Sequence, residues 1–487
     1  MAGAAETPAP SGARLTGDDV QHAVAWHAAL RTLVPHADVK AVTVEAFKVG
    51  NVDDVVVDRT AAPADYIQVK AAVSAERPAT IEWLTKLTRA GGPSILQRFH
   101  QTGRLLRGAG PHPQLTLVTN RSIDPQDPVL TLRDRNDRLA DRLRHATARA
   151  TVDARTELLH HLGCTDDDLH ELLSHLRLRT DASEAAWRDQ ICDISHAAGV
   201  RADGTAFRLG IAEVREWVKT DRTAKRADDI DAVIDRLGLR AHEPFTIVAI
   251  NALDEHVIAP DARITLNWVA RFRGTEARDR RGLIDPGQWE NALRPELVTT
   301  QRTLRSIGAR RILLTGTMRL PTWFTAAAML SETAGFTPAK IKDGEVWTKP
   351  ATAVRPAPLQ LSQPVADLPP GIDVALALAI SADLTDDVTR YLAANGQHMP
   401  VVTVRLPDGV TNTSITGSRH AYAVALAIRD LARSIRRTLN PPVLHLFMAM
   451  PAALAVLLGG MWDRVPTTRT YEDLCENGYE PAFLIPN

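Results

Sequence analysis

The stretch Asp65-Tyr66-Ile67-Gln68-Val69-Lys70, "DYIQVK", follows closely on "NVDDVVVD" at residues 51–58. Both are rich in strand-forming residues and read as neighbouring β-strands. Gln68 and Lys70 lie two apart, so on a strand they share a face, with Ile67 and Val69 turned to a core. The earlier strand opens on Asp53-Asp54 and returns through "RTAAPA". If Asp58 pairs with Asp65, Asp53 faces Lys70; if the register moves by one, Asp54 does. A carboxylate, an amide oxygen and a lysine in one cluster suit phosphodiester hydrolysis. Oxygen ligands hold hard cations such as Mg²⁺ or Mn²⁺. Metal and lysine together would activate water and neutralise charge growing on the transition state. The candidate metal ligands are Asp53, Asp54, Gln68 and Glu45, the last from the strand before; Lys70 completes the catalytic set. The same residues would also serve as a salt bridge across an ordinary hairpin.

The elements that must position this cluster follow from periodicity. Residues 18–33 place Val20, Ala23, Val24, Leu30 and Leu33 on one helical face. Strand-like runs follow at 41–47, 54–58 and 65–73, helical stretches at 78–89 and 94–107, and a further strand at 114–120. This order predicts a compact mixed α/β unit over 15–129. Residues 130–240 are charged, helical and poor in strand signal, and read as a helical connector.

From 241 the α/β pattern returns. Buried strands are expected at "PFTIVAINAL" and "RRILLTG", with a proline-started helix at 321–335. Residues 349–371 hold six prolines and no apolar period, which reads as a linker. Beyond it, strands at 373–381 and 443–450 and helices at 385–395, 418–439 and 451–460 repeat the pattern. Two related open α/β sheets result, with halves at about 241–348 and 372–487, and ligands of such sheets sit beyond the strand C-termini. Helix N-termini there offer N–H groups to phosphates. Arg319, Ser381, Ser418 and His420 fall at such junctions as candidate phosphate or sugar contacts, and Trp323 and Tyr471 as candidate base-stacking groups. His445, between Leu444 and Leu446, reads as a satisfied core histidine.

Composition narrows the classes. The chain has 487 residues, 45% hydrophobic and 24% charged, with formal net charge −1, so any nucleic-acid surface must be a local patch. Its three cysteines lack metal-ligand spacing, which fits a reducing compartment. The most apolar helical run, 452–458, is too short to span a membrane. The N-terminus has no signal-peptide pattern; residues 1–14 read as a disordered leader of a cytoplasmic protein. No phosphate-loop, dinucleotide, zinc or nucleophile-elbow motif is present.

Two resemblances attach to these residues. "VDDVVVD", "YIQVKAAV" and "LTLVTNR" resemble PD-(D/E)xK nucleases, and more narrowly the double-stranded DNA endonuclease domain fused to SAVED domains in CBASS anti-phage systems, over roughly 15–125. The acidic residue of that motif is Gln68 here, a QxK variant that occurs in the superfamily. "ILLTGTMRLPTWFTAAAM", "ALAISADLTDDVTRYL" and "VLHLFMAMPAALAVLLGG" are similar to SAVED domains, over about 243–487. Such domains are two fused CARF-like, Rossmann-like halves that bind cyclic oligonucleotides. The resemblance implies an endonuclease that uses Mg²⁺ or Mn²⁺ on double-stranded DNA and is activated by a cyclic oligonucleotide, with a cyclic trinucleotide favoured. Activation would proceed through the helical connector or through a ligand-induced homo-oligomer, the latter favoured because duplex cleavage needs two active sites. The alternatives are a non-catalytic sensor that recruits partners and a ring nuclease acting on the cyclic nucleotide itself.

Overall fold

The computed structural model describes residues 10–46, 52, 54–72, 76–88, 91–107, 112–134, 136–180, 182–220, 222–254 and 261–486. The chain divides into two units, Met1–Pro244 and Phe245–Asn487.

The first unit opens on a helix at Pro10–Arg31, so residues 10–14 of the expected leader are helical. Strands β1 (Ala41–Val44), β2 (Val55–Asp58) and β3 (Asp65–Val69) form an antiparallel meander. Strand β4 (Gln114–Val118) returns parallel to β3 after the helices Ile81–Thr85 and Ile95–Arg107.

The expected connector over 130–240 is instead part of this unit. It supplies β5 (Leu176–Arg179), parallel to β4, and β6 (Lys225–Arg226), antiparallel to β1. The sheet order is β5-β4-β3-β2-β1-β6. Its charged helices are amphipathic rather than free-standing. Gly204–Thr220 buries Ala206, Gly210, Ile211, Val214 and Trp217 on one stripe, and this helix and Glu184–Ala198 both pack on the N-terminal helix. Trp26 is 1% exposed, and a Cβ on Gly210 would stand 2.2 Å from its ring, so the indole occupies the space that any larger residue would need. Charge content hid this stripe from a reading that weighed composition above period.

The second unit contains one sheet twice. Strands β7 (Thr246–Asn251), β8 (Ile264–Asn267), β9 (Arg311–Thr317), β10 (Thr337–Lys342) and β11 (Glu345–Trp347) lie in the order β8-β7-β9-β10-β11. A two-residue strand β12 (Gln360–Leu361) precedes β13 (Val374–Ala379), β14 (Val401–Arg405), β15 (Leu444–Ala449), β16 (Thr468–Asp473) and β17 (Tyr479–Ile485). These lie in the order β12-β14-β13-β15-β16-β17. Without β12, the second order repeats the first strand for strand. Each copy has four parallel strands closed by an antiparallel hairpin, β10–β11 or β16–β17.

The equivalent helices Leu320–Met329 and Ala452–Gly460 join the copies. Their contact is backbone-close: a Cβ on Gly459 would lie 2.2 Å from the Phe324 carbonyl oxygen. Leu454, Val456, Leu457 and Leu458 are buried around it, each contributing about 1.5–3 kcal/mol of apolar burial. The expected linker 349–371 is not free chain. β12 pairs with β14, the Ala357 N–H donates to Ala423 O (3.0 Å), and Val365 and Leu368 join the core. Its prolines make an extended strap. Among the described residues no helix is long and apolar enough to cross a membrane.

Candidate functional site

In the first unit, β2 and β3 pair Val57 with Asp65, Val56 with Tyr66 and Val55 with Ile67. This register sets Asp54 opposite Gln68, not opposite Lys70, which corrects both registers allowed by the sequence. The Gln68 side-chain amide donates to Asp54 Oδ2, as does the Val69 N–H (2.7 Å). Gln68 is 4% exposed, so this contact is made largely out of water. Strand β4 fixes the next residues. The Lys70 N–H donates to Val118 O (2.8 Å), Thr119 Oγ1 donates to Lys70 O (2.9 Å), and Asn120 makes two bonds to the Ala72 backbone. The run "LVTN" therefore clamps the chain on either side of Lys70, a role the sequence signalled only as a strand end.

Glu45 departs from its expected place. Its backbone continues the β1–β2 ladder, with its N–H donating to Asp54 O (2.9 Å), but φ is 49° and the carboxylate pairs with Arg222 at 3.1 Å. Left-handed backbone at a non-glycine turns the side chain out of the strand alternation. Asp53 lies outside the described residues. Among the described residues no group of three or more His, Cys, Asp and Glu side chains could hold a metal ion. One Asp54 oxygen accepts two N–H groups, one of them from Gln68, so the Gln68 side chain turns its donor rather than its oxygen to this carboxylate.

In the second unit the chain order reverses at β7/β9 and again at β13/β15, and in open α/β sheets ligands lodge beyond the strand C-termini at such points. At the first, the strands end on Asn251 and Thr317, which pair across the ladder. Asn251 is 4% exposed, and its amide oxygen has no hydrogen-bond partner among the described residues. At the second, the Ser381 N–H donates to Ala449 O (2.8 Å). Nearby, Asp383 accepts from the Thr385 N–H (3.0 Å) and pairs with Arg405 (2.8 Å). These bonds, led by the Thr385 hydroxyl, hold the Asp383 carboxyl down at about 2.

The candidate contacts divide. Ser418 opens the helix Ser418–Leu439, and its N–H donates to Glu345 Oε2 (3.1 Å). His420 Nδ1 accepts from the Thr416 N–H (3.4 Å), closing the loop onto that helix. Arg319 caps the helix Leu320–Met329; its Nε–H donates to Arg280 O (3.1 Å) and its Nη2 to Arg278 O (3.3 Å).

The two aromatic candidates are core residues. Trp323 is 3% exposed, donates to Met318 O (2.9 Å) and has the Lys340 ammonium 4.1 Å from its ring centre. Tyr471 is 4% exposed, stacks on Phe447 (4.2 Å between ring centres), and shares a 2.6 Å hydrogen bond with His445. Burial, chiefly, pushes the Tyr471 phenol up and the His445 imidazole down, so both are neutral at pH 7. Neither aromatic face is open as a stacking platform.

The sequence reading missed Glu472. This carboxylate is 1% exposed and neither oxygen has a hydrogen-bond partner among the described residues; Arg319 Nε lies 3.4 Å away without hydrogen-bond geometry. Burial pushes its carboxyl up to about 8. The sequence carried little signal for it, since Thr470, Tyr471 and Glu472 are buried in succession and burial on β16 does not alternate there.

The class defined by this architecture is a duplicated open α/β fold with a reversal of strand order in each copy. Residues 297–485 match the family model of SAVED, the SMODS-associated and fused to various effectors sensor domain. Among solved structures, the chain is similar to the Acinetobacter baumannii Cap4 SAVED/CARF-domain containing receptor with the cyclic trinucleotide 2′3′3′-cAAA. That likeness is at 14% identity and TM-score 0.44, over 99% of this chain and 100% of that one. The same receptor with 3′3′3′-cAAA is 13% identical at TM-score 0.44, over 99% and 100%. The Moraxella osloensis Cap4 receptor is 14% identical at TM-score 0.43, over 96% and 99%. No curated protein matches the chain.

Proposed function

We propose that the chain is a receptor for a cyclic oligonucleotide, with a cyclic trinucleotide favoured, and that Phe245–Asn487 carries the binding site. The observation that carries this reading is the match of residues 297–485 to the SAVED sensor family. The duplicated sheet supports it, because two like reversals of strand order suit a ligand built of repeated nucleotides. The helices Leu320–Met329 and Ala452–Gly460 have no side-chain cap, and the positive end of a helix dipole favours a phosphate. The test is isothermal titration of the full chain with 2′3′3′-cAAA and with 3′3′3′-cAAA. Saturable binding of either supports the reading. Heats no larger than those given by linear tri-adenylate would refute it for this ligand class.

A second reading concerns the first unit. It is a double-stranded DNA endonuclease, released when ligand drives self-assembly, as the effector of an anti-phage system. What favours it is the set Asp54, Gln68 and Lys70 on adjoining strands, within the order helix, three antiparallel strands, helices, parallel strand. Mg²⁺ or Mn²⁺ is the cofactor proposed with this reading, as a hard cation that takes oxygen ligands. Plasmid cleavage by the full chain, with cyclic trinucleotide and with Mg²⁺ or EDTA, tests it. A protein that binds ligand but never nicks DNA is a sensor that acts by recruitment.

A further inference from the structure

Glu472 and Arg319 come from different copies of the repeated sheet. Arg319 stands two residues beyond β9, and Glu472 is the penultimate residue of β16, so both lie at strand C-termini. Glu472 sits directly across the ladder from Glu480. The two carboxylates have unequal support. Glu480 accepts from Arg273 (2.8 Å), from the Leu283 N–H (3.1 Å) and from Trp289 Nε1 (3.1 Å). Glu472 accepts no hydrogen bond among the described residues, and Arg319 at 3.4 Å is its nearest cation. A bonded carboxylate beside an unbonded buried one favours ionisation of the first and neutrality of the second. The Arg319 guanidinium, meanwhile, donates among the described residues to two loop carbonyls and keeps 21% of its side chain exposed.

We propose that Glu472 is a proton-gated competitor for Arg319. A phosphodiester of the bound oligonucleotide pairs with Arg319 while Glu472 is neutral, and loses it when Glu472 ionises. The inference rests on the receptor reading above and names the regulation of that site. The charge balance is simple. When Glu472 is ionised, Arg319 is neutralised by it; ligand binding transfers the cation to phosphate, and Glu472 takes one proton from solvent. The carboxyl standing at about 8 places the transition within reach of ordinary buffers. The other groups that act here are Asp473 and Glu480, which disfavour a second negative charge, Arg281, which favours it, and Cys475, which acts on Arg319.

The experiment is the affinity of the full chain for 3′3′3′-cAAA and 2′3′3′-cAAA between pH 6.5 and 9, by titration calorimetry in two buffers of different ionisation heat. Affinity should fall about tenfold from pH 7 to pH 9, with net proton uptake on binding near pH 8. Glu472→Gln should bind at every pH as the parent does at pH 7, and Cys475→Ser should keep the parent slope. Absence of binding at any pH overturns the receptor reading, and this inference with it. Binding with flat affinity and no proton uptake overturns the inference alone, as does a slope that survives Glu472→Gln or vanishes in Cys475→Ser. If Glu472→Gln fails to fold, proton uptake by the parent together with the Cys475→Ser slope decides the matter.

Discussion

Replacing Glu472 by glutamine should stabilise the second unit increasingly as pH rises. Glu472 titrates at about 8 in the fold and at 4.5 in the open chain. Between those values the folded state holds a proton that the unfolded state has released. Stability from this group is therefore full below pH 4.5, declines as pH rises, and is lost above about 8. At about 1.4 kcal/mol per unit, the difference comes to roughly 5 kcal/mol across the window and about 3 kcal/mol by pH 7. Glutamine keeps the shape and does not titrate, so the gap between variant and parent should widen by that amount from pH 4.5 to 8 and stay constant beyond. The assay is hydrogen exchange of the β16–β17 segment under increasing urea, at pH 5, 6, 7 and 8, in the full chain. Following that segment reports on its own unit whatever the other does. A gap that changes by less than about 1 kcal/mol over the series would mean that Glu472 is not a buried neutral acid, and the gating argument would go with it.

Other substitutions test separate parts of the structure. Lys70→Ala should abolish ligand-dependent plasmid cleavage and leave cyclic-nucleotide affinity unchanged; undiminished cutting would remove the first unit's proposed site. Gly210→Ala drives a methyl into the Trp26 ring and should cost about 1–3 kcal/mol in urea unfolding of the first unit, whereas a free connector would tolerate it. Tyr471→Phe strands the ring nitrogen of buried His445 and should cost about 1–3 kcal/mol with ligand affinity unchanged. A selective loss of affinity in that variant would restore Tyr471 as a ligand contact.

What the sequence disclosed depended on how local each signal was. The helix at 418–439 and the strands at 374–379 and 444–449 are strong, self-contained periods, and the fold has them there. The hairpin β10–β11 was overlooked although its turn is Asp343-Gly344. Both residues adopt positive φ (52° and 72°), the pairing that an Asp-Gly hairpin turn demands. Strands β5 and β6 were beyond reach of local reading. "LRLR" and a two-residue "KR" carry little strand signal of their own, and the edges of the sheet give them their conformation.

The register of the candidate cluster is the sharpest case, because a one-residue slip changes which side chains meet. The hairpin between β2 and β3 does not set that register by its own turn residues. Asp38, which precedes β1, accepts from the N–H groups of Thr60 (2.9 Å), Ala61 (2.6 Å) and Ala62 (3.0 Å), pinning the turn from outside. Arg59 then pairs with Asp65 at 2.5 Å, which holds the start of β3 against the end of β2. With the loop fixed in this way, Val57 meets Asp65 and Asp54 meets Gln68. A carboxylate more than twenty residues upstream thus sets which polar groups share the sheet face with Lys70. No inspection of "DDVVVDRTAAPADYIQVK" by itself contains that instruction. If Asp38 is the register pin, Asp38→Ala should loosen the β2–β3 turn and weaken the Asp54–Gln68 contact together. Hydrogen exchange would read this as lost protection at Val69, whose N–H bonds Asp54, with protection at Ala339 on β10 unchanged.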